Sequence, residues 1–150
     1  MGSCLSSNNS LSARPIANYF YTVLDVLRDV VIDMSRIEND LRKAGNRNSS
    51  EENFSSALQP ILQEFGHSFI DLTYVFWELE SVVSDMSRYT SEFEHEFNIL
   101  FEICHGLEII FKGFINLLKK LLQKIDDPNS PVAKLIHSTL SELAYFIGSN

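Results

Sequence analysis

The apolar positions of this chain recur in alternating steps of three and four residues, and that spacing predicts long helices. From Pro15 onward the series is Ile16, Phe20, Val23, Leu27, Val30, Met34, Ile37 and Leu41, an unbroken heptad seam. Proline suits a first helical position because its missing N–H has no intrahelical partner there. Helix 1 is therefore expected to open at Pro15 and to close at Gly45 as a C′ residue. Leu24 and Val31 widen the stripe, as a helix with more than one neighbour requires.

After the loop at residues 46–50, Ser49 and Glu52 read as a capping box for helix 2. Its seam runs Phe54, Leu58, Ile61, Phe65, Phe69, Leu72, Phe76, Leu79, Val83 and Met86. The step from Phe65 to Phe69 is four where three is due, with Gly66 inside it and Pro60 one turn earlier, so a bend or break is expected over residues 59–67. Between Phe69 and Trp77 the helix is apolar nearly all round, which marks a segment buried on several sides or an interface.

Helix 3 gives Phe93, Phe97, Leu100, Cys104, Leu107, Phe111, Phe114, Leu118, Leu121 and Ile125, with Ser91 and Glu94 as a second capping box. The turn Asp126 to Ser130 follows, and Ser130 as N-cap with Pro131 at the first position opens helix 4 (Val132, Ile136, Leu140, Leu143, Ile147). Met86, Thr90 and Phe93 keep the heptad in phase between helices 2 and 3. A fused helix there would span about 110 Å at 1.5 Å per residue and would need a partner chain. The reading is all-α, an up-down four-helix bundle over residues 14–150 preceded by a flexible tail at 1–13. The alternative is an extended coiled-coil dimer, a homodimer with helices 2 and 3 fused.

Composition narrows the class. The chain has 150 residues, enough for one domain with a core, and its 45% hydrophobic content is that of an ordinary globular chain. No transmembrane run or secretory signal is expected. The net charge is −8, and residues 51–96 hold ten acids against Arg88 alone, a field that repels nucleic acid. Cys4 and Cys104 lie in a tail and in a helical seam, so no internal disulfide is expected and a reducing compartment fits.

Candidate chemistry is sparse. Glu64 with His67 and Glu92 with His95 have the Glu-x-x-His spacing of four-helix di-metal proteins. All four residues fall off the seams, and a hairpin turning near residue 89 separates the pairs by several turns, so no metal or other cofactor is expected. Cys104 and His105 are consecutive and point about 100° apart on a helix, unsuited to a nucleophile–base pair. The chain reads as a non-enzyme. Gly106 and Gly113, one heptad apart, suggest close helix approach.

The strongest functional signal is Met1-Gly2-Ser3-Cys4-Leu5-Ser6, which matches the N-myristoylation pattern M-G-x-x-x-[ST]. Gly2 offers an unhindered amine to the acyl donor. Cys4 supplies a palmitoylation site, and one acyl chain alone anchors only marginally. These residues imply a lipid-anchored, membrane-peripheral adaptor at the cytoplasmic face, binding the membrane through its acyl groups and a protein partner through its bundle. Phe69, Ile70, Tyr74, Trp77, Glu78 and Glu80 are the interaction surface the pattern points to. Two alternatives stand beside this reading. One is a membrane-perturbing bundle that inserts residues 107–125, with Lys112, Lys119, Lys120 and Lys124 facing the bilayer. The other is a coiled-coil subunit of a larger complex.

Overall fold

The computed structural model describes residues 2–46, 51–89 and 92–148, with side chains over 14–46, 53–88 and 92–148. It is all-α. Helix α1 spans Gly2–Gly45, α2 Glu51–Met86, α3 Glu94–Gln123 and α4 Pro131–Gly148. A single 3-10 turn, Ser87–Tyr89, leads out of α2. The acylation signature at Gly2 and Cys4 belongs to the segment whose side chains lie outside those described, as does the expected box of Ser49 and Glu52.

Cross-helix contacts set the directions. Phe65 meets Phe114 with ring centroids 4.5 Å apart, and Phe69 meets Phe111 at 6.2 Å. The paired numbers sum to a near constant, so α2 and α3 are antiparallel about a turn close to residue 90. The hairpin holds, and the fused rod is set aside. Tyr19 bonds Glu78 and Arg36 bonds Glu64, which makes α1 antiparallel to α2 by the same logic. Tyr21 bonds Glu96, and Gly113 lies against the Glu38 carboxylate, so α1 and α3 run parallel at a constant offset. The short link to α4 returns the chain antiparallel, giving the up-down order.

The heptads are the core. Phe20, Leu27, Met34, Ile37 and Leu41 of α1 are wholly buried, as are Leu58, Phe65 and Leu72 of α2 and Phe114 and Leu118 of α3. Leu24 is equally buried, so the wide stripe of α1 serves two neighbours. In α2 the structure picks Leu62, 1% exposed, over its half-buried neighbour Ile61. With Leu62 the series Leu58, Leu62, Phe65, Phe69, Leu72, Phe76, Leu79, Val83, Met86 is regular. The extra residue is absorbed one turn earlier, between Phe54 and Leu62. Of the bend or break expected over 59–67, the break is absent: α2 continues through Pro60 and Gly66. Pro60 is exposed, which keeps its ring and the carbonyl it leaves unpaired away from the core.

Helix ends show further departures. Pro15 lies inside α1 rather than at its start, and the fixed φ of proline is itself helical. Gly45 does not take the left-handed conformation of a C′ residue, since no described glycine has a positive φ. Its missing Cβ instead admits Leu121 of α3, whose Cδ2 would otherwise lie in hard contact. Lys124 then donates to the Gly45 carbonyl oxygen at 2.6 Å, placing a cation on the α1 C-terminus. Helix α3 begins at Glu94 with Phe93 as its N-cap and no side-chain cap bond; Ser91 of the expected box lies outside the described residues. The buried Phe93 ring is held by the core, and Glu94 and Glu96 complement the dipole. At α4 the expected cap is present: the Ala133 N–H donates to Ser130 Oγ at 3.2 Å. Gly113 packs against Glu38, but nothing approaches Gly106, so only one of the two glycines serves close approach.

Candidate functional site

Among the described residues, the fourth corner of the bundle is only half filled. Helix α4 has 18 residues, whereas α3 has 30 and α2 has 36. Its last turn is fixed by Phe146, whose ring stands edge-on to Phe69 at 5.6 Å, to Phe76 at 5.4 Å and to Phe111 at 5.4 Å. Beyond Phe146, α2 and α3 continue toward their turn with no described helix covering the lane between them.

A groove of about 940 Å³ starts beside Phe146, where Phe69, Thr73, Ser141 and Glu142 line it, and runs into that lane. Its floor is Phe76, Leu79 and Val83 of α2 with Leu100 of α3, and Trp77 and Tyr145 stand on its walls. Trp77 is 70% exposed and Tyr145 is 80% exposed, large apolar surfaces left in water at the groove's rim. The charged residues lining it are Glu80 and Glu142. The floor exists because the seam of α2 continues in phase past the point where α4 stops.

A smaller trough of about 460 Å³ lies on the other side of Phe146, between α3 and α4, and is lined by Phe101, Cys104, His105 and Ile147 among others. Cys104 is half-buried there, and burial pushes its thiol above the ordinary range, so it stays protonated near neutral pH.

The residues that the sequence pattern points to as an interaction surface are divided between different faces of α2. Phe69, Trp77 and Glu80 line the large groove. Ile70 lines a neighbouring shallow groove with His67 and Thr73. Tyr74 and Glu78 turn to a shallow groove of about 230 Å³ between α1 and α2, where they meet Tyr19 and Val26. The Tyr19 hydroxyl donates to Glu78 Oε2 at 2.7 Å, and this bond holds the phenol above its usual pKa. Tyr21 is raised in the same way by Glu96. Sequence reasoning missed Tyr145 and Phe146 as site residues and read Val83 and Leu100 only as core. The signal was helix length: α4 is too short to cover the seams it faces.

The lysines of α3 and the Glu-x-x-His pairs serve other ends. Lys112 forms an ion pair with Glu108 at 3.0 Å, Lys119 and Lys120 are exposed, and Lys124 caps α1. The apolar face of that segment, Leu107, Phe111, Phe114, Leu118 and Leu121, is core, at most 2% exposed. Glu64 is engaged by Arg36. By the register of the hairpin His95 lies level with residue 84, about 25 Å from His67 at 1.5 Å per residue.

Comparison of the chain with protein-family models, with curated proteins and with solved structures gives no match.

Proposed function

We propose that this protein is a non-enzymatic, membrane-peripheral adaptor. Acyl groups on Gly2 and Cys4 hold the bundle at the cytoplasmic face of a membrane, and the open groove beside and beyond Phe146 receives another protein. The observation that carries the docking half is the groove itself, with an aliphatic and aromatic floor and Trp77 and Tyr145 exposed at its edge. Interface centres favour such aromatic anchors because a rigid ring gives large contact area at little entropy cost. The membrane half rests on the Met1-Gly2-Ser3-Cys4-Leu5-Ser6 pattern, in which one site takes myristate and a second takes palmitate.

The test is metabolic labelling with alkynyl fatty acids in a cell that has the acyltransferases, followed by fractionation. Myristate should be incorporated in the parent chain and lost in Gly2→Ala, which should move to the soluble fraction. Cys4→Ser should keep the myristate but bind membrane less firmly. An unmodified N-terminus, or unchanged fractionation of Gly2→Ala, overturns the membrane half.

A further inference from the structure

We infer that the occupant of the open groove is a basic amphipathic helix of about three turns, contributed by another protein and seated as the missing half of the fourth corner. The inference rests on reading the groove as a docking surface, and three observations select the occupant.

The first is length. From Phe76, where Phe146 closes the lane, to Met86 at the end of α2 is ten residues, or about 15 Å of helix. A helix of two to three turns fills that space, and a strand or a loop leaves its backbone groups unpaired against an apolar floor. The second is pattern. Phe76, Leu79 and Val83 present the same three-and-four spacing that receives α4 lower down, so knobs at i, i+3 or i+4, and i+7 fit it.

The third is charge, and it decides the partner's chemistry. Glu80 and Glu142 flank the groove on its two walls. The surrounding segment, residues 76–104, carries seven carboxylates against Arg88 alone, a net of −6, with Glu78 and Glu96 turned to the α1 side, where they bond Tyr19 and Tyr21. Lysines and arginines on the flanks of an incoming helix complement that field and speed its encounter. A second copy meets the opposite situation. Face-to-face pairing through a two-fold axis sets the same acidic rim against itself, in a chain already at −8. An anionic lipid surface is repelled for the same reason. The chain's own lysine-rich helix is unavailable, because Phe111, Phe114, Leu118 and Leu121 hold it in the core.

Trp77 is the sole tryptophan of the chain and stands on the groove wall, so its emission reports occupancy directly. The probes are two synthetic peptides of about 12 residues, three helical turns. Both carry Leu at helical a and d spacing, with Lys at the remaining positions in one and Glu in the other. Added to the purified full-length chain, the Leu/Lys peptide should shift Trp77 emission to the blue in a saturable, salt-sensitive manner, and the Leu/Glu peptide should leave it unchanged. Both walls are exposed at the charged positions, so Glu80→Lys with Glu142→Lys should leave the fold intact and weaken the Leu/Lys peptide roughly tenfold. Equal binding of the two peptides overturns the basic partner while leaving the docking surface. Failure of both overturns the docking surface as well. A blue shift of the protein alone with rising concentration, accompanied by a doubled mass, assigns the groove to a second copy and overturns the inference.

Discussion

The two ends of this bundle carry the same heptad pattern and bury it to different degrees. At the closed end, four helices surround Phe65 and Phe114, and Leu58, Leu118 and Ile136 are wholly buried. At the open end three of the described helices meet: Leu79, Met86 and Phe93 stay buried, but Phe76, Val83, Phe97 and Leu100 are only partly covered, and Trp77 and Phe101 are largely exposed. A hydrophobic seam shows that a helix expects a neighbour; it does not say that the same chain supplies one. The difference between the two ends lies in the length of α4, whose 18 residues stop at the level of Phe76.

This contrast predicts a steep gradient in mutational cost. Phe114→Ala empties the centre of the closed end, where the ring is wholly buried against Phe65. It should cost about 3–5 kcal/mol in urea unfolding. Trp77→Ala removes a larger side chain from the open end and should cost under about 0.5 kcal/mol, because that ring is 70% exposed. Comparable losses for the two would mean that the groove is covered in solution.

Two glycines sharpen the comparison by sign. A Cβ at Gly45 would lie in hard contact with Leu121, itself packed in the closed end, so Gly45→Ala should destabilise by about 1–3 kcal/mol. Nothing lies near a Cβ at Gly66, so Gly66→Ala should stabilise α2 by about 0.5–1 kcal/mol through lowered backbone entropy in the unfolded chain. Thermal unfolding of the pair should bracket the parent chain from both sides.

Smaller effects come from titrating groups. Cys104 borders the half-open trough, with its thiol raised by burial. Alkylation at neutral pH should be slower than for a free cysteine and should accelerate only at pH values above the ordinary thiol range. Tyr19 has a folded pKa above its unfolded value because its neutral form donates to Glu78. The stabilisation is therefore fully present below the unfolded pKa and is lost as pH rises through the folded one. Ultraviolet titration should show one phenol brought back toward the ordinary value by Glu78→Gln.

Much of the architecture was legible in the spacing of apolar residues. The seam of α1 from Phe20 and that of α3 from Leu107 onward are core residue for residue, because a three-and-four repeat admits one buried face. The reversal between α2 and α3 left no such mark, since Met86 and Phe93 stay in phase across it and both are buried. Only the cross-helix pairs, Phe65 with Phe114 above all, show that the chain reverses there. The apparent fault at Phe65–Phe69 arose because Ile61 and Leu62 are adjacent and equally apolar, and packing against neighbours decides between them. Gly45 was read as a conformational residue and proves to be a packing one, a distinction that depends on Leu121, far away in sequence. The groove was half visible: Phe69, Trp77 and Glu80 stood out, whereas Tyr145 and Phe146 belong to it only because α4 ends beside them.

The central claim is that one half of the bundle is closed and the other is open in the isolated chain. Residue-resolved hydrogen–deuterium exchange on the full-length protein tests it within single helices. The account predicts that amides of α2 around Leu58–Leu72 and of α3 around Leu107–Leu121 are protected at least about tenfold more than those around Leu79–Met86 and Phe97–Cys104. Uniform protection along α2 and α3 would contradict it, because the upper lane would then be covered as fully as the lower.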